Sequence, residues 1–154
     1  MGLEPKRTIR VVLWTNEENG LRGGNAYRDY VMENGELDNH VLAMESDSGV
    51  FDPIGFGFSG SDEAFEMLTE IGSLLSGIES GEMRRGGGGA DIGPIMREGV
   101  PGMGLNVDGE KYFWYHHTAA DTIDKLNQAD YNECVATMAV FAYVVADMDQ
   151  SLPR

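Results

Sequence analysis

Cysteine occurs once in these 154 residues, at Cys134. That excludes an internal disulfide and any zinc cluster built of thiolates. Cys134 lies in an apolar helical pattern, so it reads as a small buried core group rather than a nucleophile. Basic residues are also few: 11 Lys plus Arg face 26 Asp plus Glu, a net charge of −15. Such a balance excludes nucleic acid and an anionic membrane surface as partners, because both demand Lys and Arg. The acidity itself serves solubility, including in a salty medium. No apolar run reaches the roughly 20 residues that a membrane-spanning helix needs. The start, Met1-Gly2-Leu3-Glu4-Pro5-Lys6-Arg7, holds no apolar signal segment. This leaves a cytoplasmic protein or an interior piece of a longer, processed chain. A phosphate loop is missing too. The run Gly86 to Gly89 lacks a following Gly-Lys-Ser/Thr, and no strand directly precedes it, so its likeness to one is accidental.

What is present is an ordinary globular composition, 42% apolar and 24% charged, enough for one domain over 1–154 with its own core. Thr8 to Trp14 is a β-branched apolar run that suits a buried strand. Tyr27, Tyr30 and Val31 recur at helical spacing, and Asn34-Gly35 closes that helix. His40 to Met44 reads as a second strand. Phe51 to Phe58, rich in Gly and aromatics, reads as an extended edge segment. A helix is predicted from Ser61 to about Leu75, with Phe65, Leu68, Ile71 and Leu75 on its apolar face. Glu79 to Ala90 reads as a loop. Asp91 is placed as the cap of a short helix to about Arg97. Gly99 to Leu105 enters a short strand. The last helix is predicted from near Asn127 to about Met148, with Met138, Phe141, Ala142 and Val145 in its core stripe. Strands alternating with longer helices predict an α/β fold, a three-layer αβα sandwich on a largely parallel central sheet.

Three clusters follow three apolar runs. Glu17-Glu18 follows Val11 to Trp14, Asp47 follows Val41 to Met44, and His117 follows Phe113 to Tyr115. Ligands in open α/β sheets bind outside the carboxyl ends of strands, which would gather all three clusters at one edge. Carboxylates with a histidine and no thiolate suit a catalytic zinc site. Each cluster also has a plain reading: a solvated acidic pair, a turn aspartate, and a histidine satisfied by a backbone carbonyl. His40, at the far end of its strand, takes no role.

Longer stretches carry a resemblance. Val11-Val12-Leu13-Trp14-Thr15-Asn16-Glu17-Glu18-Asn19-Gly20 resembles the Glu-Glu motif of co-catalytic zinc aminopeptidases and carboxypeptidases. Met44-Glu45-Ser46-Asp47 resembles their next ligand segment, and His117-Thr118-Ala119-Ala120-Asp121-Thr122 their His-Ser/Thr-x-x-Asp-Thr ending. The lead-in Pro5 to Thr8, the run Tyr112 to His117 and Tyr143 to Met148 resemble the carboxypeptidase Q-like (plasma glutamate carboxypeptidase-like) branch. The resemblance covers nearly the whole chain. It implies Glu17 as general base, Glu18 as a ligand of one zinc, and Asp47 and His117 as ligands of a second. It further implies that Asp121 supports a ligand or forms a turn, and that the Gly-rich loop through Asp91 borders the substrate pocket. The implied reaction is two-zinc hydrolysis of small peptides, and the implied parent protein is exported, secreted or periplasmic.

The family also places a histidine ligand and a bridging aspartate before the Glu-Glu motif. Here only sixteen residues precede Glu17, none of them histidine. The resemblance is thus to the later part of a catalytic domain without its first strands, and little or no peptidase activity is expected of the chain alone. Two alternatives stand beside it. One is a zinc acyltransferase resembling glutaminyl cyclase. The other is a non-catalytic fragment whose exposed sheet edge leads to a homodimer or strand-exchanged oligomer.

Overall fold

The computed structural model describes Gly2 and residues 4–154. Met1 and Leu3, part of the stretch read as free of a signal segment, lie outside the described residues.

Four strands form one sheet. They are β1 (Ala43–Glu45), β2 (Pro53–Ser59), β3 (Glu82–Arg85) and β4 (Gly102–Val107), in the order β1-β4-β2-β3. The β1–β4 and β2–β3 pairs are parallel, and β2–β4 is antiparallel. Alternation along the strands assigns the two faces. Phe56, Phe58, Met103 and Leu105 point to one face. There they meet α2 (Asp62–Gly72) and α5 (Gln128–Asp147) in the larger core, with Leu68, Ile71, Leu75, Cys134, Phe141 and Val145. Phe56 and Phe141 pack edge to face, with centroids 4.7 Å apart. Ala43 points to the other face and joins Ile92, Ile95 and Val100 in a smaller core beneath α1 (Arg22–Glu33) and α3 (Gly93–Met96), flanked by Trp14 and Tyr27. The result is the expected three-layer αβα sandwich. Among the described residues no helix is long and apolar enough to cross a membrane.

The helices follow their local signals. Ser61 caps α2 by accepting from the Ala64 N–H at 3.2 Å. Asn127 caps α5 by accepting from Ala129 and Asp130. At the other end of α5, the Arg7 guanidinium donates to the carbonyls of Val145 and Met148, which favourably places a cation at a helix C-terminus. Cys134 is buried, its thiol donates to the Phe51 carbonyl at 3.1 Å, and burial pushes it up to about 11.

Four expectations change. Thr8 to Trp14 is not a strand. None of its residues takes part in a backbone hydrogen bond among the described residues, and Val11 and Leu13 remain 84% and 88% exposed. A strand is a pairing, and no described segment pairs its backbone with this one, although Trp14 and Arg10 reach Tyr27 through their side chains. Phe51 to Phe58 is no edge. Its strand β2 lies inside the sheet, where Phe56 and Phe58 supply core rather than rim. The predicted loop at Glu79 to Ala90 contains β3, whose mostly exposed polar residues show no apolar alternation because β3 is itself the edge. Asp91 caps nothing: no side chain caps α3, and the N–H groups of Asp91 and Ile92 are taken by the Glu45 carboxylate, at 3.3 and 2.8 Å.

That buried Glu45 also fixes the Gly-rich loop. The alternation that turns Ala43 inward turns Glu45 to the same face, against Gly89, where any side chain would collide with the carboxylate. Gly104 on β4 lies just as tightly under the Gly88 carbonyl. Backbone can therefore lie directly on the sheet at this point. Burial raises the Glu45 pKa, and the two donated N–H bonds oppose that rise.

Candidate active site

Three chain segments bring their acidic or imidazole groups to the edge where β1 and β4 end. The first is the turn after residues 8–14. The Glu17 carbonyl accepts from Gly20 and Leu21 at 3.0 and 2.8 Å, the Asn16 carbonyl from Arg22, and the Thr15 carbonyl from Gly23, so the turn feeds directly into α1. The second is Ser46 to Gly49, just beyond β1. The third follows β4 through α4 (Tyr112–Tyr115), a short helix where the aromatic run would have suggested a strand, and ends at His117.

Glu18 and His117 meet across 99 positions of sequence, Oε1 to Nε2 at 2.5 Å, both more than half exposed. Glu17 is half-buried beside them. Desolvation raises its pKa, the carboxylates of Glu18, Asp91 and Asp47 raise it further, and His117 opposes them. Asp91 is only 6% exposed, and its Oδ1 has no hydrogen-bond partner. Burial and then the charge of Asp47 hold its pKa up. The Tyr112 phenol faces the same cluster. Its pKa is raised first by burial, then by Asp47, Glu18, Asp121 and Glu17. Asp121 is exposed. Its N–H donates to the Thr118 carbonyl at 3.2 Å, and among the described residues its carboxylate makes no hydrogen bond, to His117 or otherwise.

Strain collects here as well. The described non-glycine residues in left-handed backbone are Asn16, Leu21, Glu79 and His117. Two of them flank the Glu pair and one is the histidine itself. Each such residue costs on the order of 1–3 kcal/mol and tends to persist where function holds it.

The donors suit zinc in kind, being oxygen and imidazole nitrogen. They suit it less in number. Among the described residues no group of three His, Cys, Asp or Glu is placed to hold one ion. The Glu18–His117 contact joins a side chain expected on one zinc to a side chain expected on the other. The arrangement is a cluster of carboxylates around one imidazole, short of a three-donor metal site among the described residues.

Sequence reasoning passed over three participants. Glu45 had a signal in its two-residue offset from Ala43. Tyr112 and His116 were hidden by the assumption that their run is extended. His40 is, as read, a structural histidine, bonded to the Tyr27 hydroxyl at 2.8 Å and the Glu36 carbonyl at 2.9 Å.

Known proteins resemble the chain in sequence and in fold. The family model described as Peptidase family M28 matches residues 1–142. Carboxypeptidase Q of Xenopus laevis is 44% identical over all 154 residues, and that of Homo sapiens 42%; the chain spans 32% of the length of each. A Peptidase M28 precursor from Shewanella amazonensis superposes with a TM-score of 0.89 at 34% identity, over 100% of this chain and 35% of that one. An aminopeptidase from Aneurinibacillus sp. strain AM-1 shares the fold, with a TM-score of 0.61 at 24% identity over 91% of this chain and 34% of its own. A family model that matches residues 1–142 and relatives 42–44% identical over the whole chain leave one assignment: the chain belongs to peptidase family M28.

Proposed function

We propose that this chain supplies the catalytic base and part of the zinc-binding residues of a metallo-exopeptidase that hydrolyses dipeptides or other small peptides. The observation that carries this reading is the meeting of Glu18 with His117 across 99 positions, beside Glu17 and Asp47. Glu18, Asp47 and His117 are the residues that would hold zinc, divided between two ions. When bound, zinc polarises a scissile carbonyl and acidifies water. Glu17 accepts the proton of the attacking water and returns it to the leaving amine, general base and then general acid. Its neighbour Glu18 points to the imidazole, so the pair divides metal binding from proton transfer. Asp91, behind them, adds its charge to the field at Glu17, and Glu45 holds the Gly-rich loop beside it.

The chain by itself is expected to be inactive, because it assembles too few donors. The missing donors come from a longer polypeptide or from a second copy. A homodimer or strand-exchanged oligomer fits the exposed row Ile9, Val11 and Leu13, whose backbone pairs with no other segment among the described residues.

Zinc stoichiometry and affinity, measured on the chain with His117→Ala as control, test the reading. Zinc binding that is lost in the control supports it, and zinc binding indifferent to His117 refutes it. In any active assembly, Glu17→Gln should abolish dipeptide hydrolysis while metal content stays within a few-fold. Parallel assays with N-terminal glutamine peptides separate hydrolysis from cyclisation.

A further inference from the structure

His117 poses a problem of orientation. Its side chain is 60% exposed and its backbone is left-handed, so neither burial nor an ordinary backbone conformation fixes the ring. Three aromatic rings supply what the backbone does not. The His117 ring stacks on His116, with centroids 3.8 Å apart and planes 22° apart. His116 stacks in turn on Tyr112, at 4.5 Å and 25°. Phe113 closes the column from the side, edge-on to His116 at 6.0 Å and to Tyr112 at 5.0 Å. A backbone bond from the His116 N–H to the Tyr112 carbonyl, 3.0 Å, ties the two ends of α4.

From this geometry we infer that Tyr112 and His116 are positioning residues: their stack sets the plane of the His117 imidazole and aims its Nε2 at Glu18. Most imidazoles that serve a metal are oriented by a hydrogen bond from the second ring nitrogen. Among the described residues His117 makes no such bond, and the bond it does make uses Nε2. Ring stacking replaces it. The inference extends the proposed function in one respect, since a held ring matters for zinc only if His117 is a ligand.

The test uses the whole chain, with His116→Phe and His116→Ala, and Tyr112→Phe and Tyr112→Ala. Nuclear Overhauser contacts between the His117 ring protons and the Glu18 side chain read the orientation without metal. They should persist in both Phe variants, which keep the stack, and vanish in both Ala variants, while core methyl signals remain as in the unmodified chain. Persistence of those contacts in the Ala variants overturns the inference. So does their loss in the Phe variants, which would show that the ring nitrogens or the hydroxyl, and not stacking, hold His117. Zinc titration gives the second reading. Where the unmodified chain binds zinc through His117, the Ala variants should bind it about tenfold more weakly or worse, and the Phe variants equally well. Where the chain alone takes up no zinc, as its partial donor set allows, the orientation contacts alone decide the stack.

Discussion

Phe141, on α5, packs against the sheet with none of its surface in water, whereas Leu13, four positions before Glu17, keeps 88% of its surface exposed. Both sit in sequence runs that look equally fit for a core. The layer around Phe141 is finished: strands pair, both long helices are capped by their own residues, and the buried Ser80 and Thr137 hydroxyls satisfy each other at 2.6 Å. The region around Leu13 has apolar side chains without a cover, backbone without partners and three left-handed residues nearby. A scaffold is made of contacts within one stretch of chain. The candidate site is instead made of segments far apart in sequence, as Glu18 and His117 meet across 99 positions.

Phe141→Ala should be the most damaging single change, at about 3–5 kcal/mol of unfolding free energy by denaturant melts. Glu45→Ala should follow, near 2 kcal/mol, since it strands two buried N–H groups and frees the Gly-rich loop. A loss as small as that of a surface change would show that the loop is held by other means. Asp91→Asn should act in the opposite direction. Burial raises the folded pKa of Asp91 and Glu45, so the stability linked to their protonation is complete below the ordinary carboxylate range, about 4, and is lost as pH rises through the raised folded values. Without metal, thermal melts of the unmodified chain should therefore weaken from acid toward neutral pH relative to Asp91→Asn. At neutral pH the variant should be the more stable, with a higher melting midpoint. An unchanged pH profile would place a cation or donor at Asp91 Oδ1. Leu13→Ser should change stability least, within about 0.5 kcal/mol. A larger loss that grows with protein concentration would show that the row is covered by a second copy.

The legibility of the sequence divides along the same line. Helix α5 could be read from Asn127 and a periodic stripe, and α2 from Ser61, because capping and periodicity are local. The centre of the α5 stripe shifts to Cys134, Thr137, Phe141 and Val145, with Met138 and Ala142 at its sides. Residues 8–14 were misread because β-branched residues state a preference for pairing without stating a partner. Strand β3 was missed for the opposite reason: Glu82 and Arg84 have little apolar character, and only the neighbouring β2 makes a strand of them. At the candidate site, the motifs pointed to Glu17, Glu18, Asp47 and His117, whose segments come to one edge of the sheet. The depth of Asp91, the inward turn of Glu45 and the ring column on His117 depend on how distant segments pack, which spacing does not encode.

Cys134 gives this contrast a practical use. Its thiol is buried in the larger core, bonded to the Phe51 carbonyl and pushed up to about 11, so at neutral pH the folded chain presents almost no thiolate. The chain thus carries a built-in clock for whole-core opening. Alkylation of its one thiol should proceed only as fast as α5 lifts from the sheet, however freely residues 8–14 or the turn at Glu17 move. Each variant above can be timed by the same atom, without adding a label.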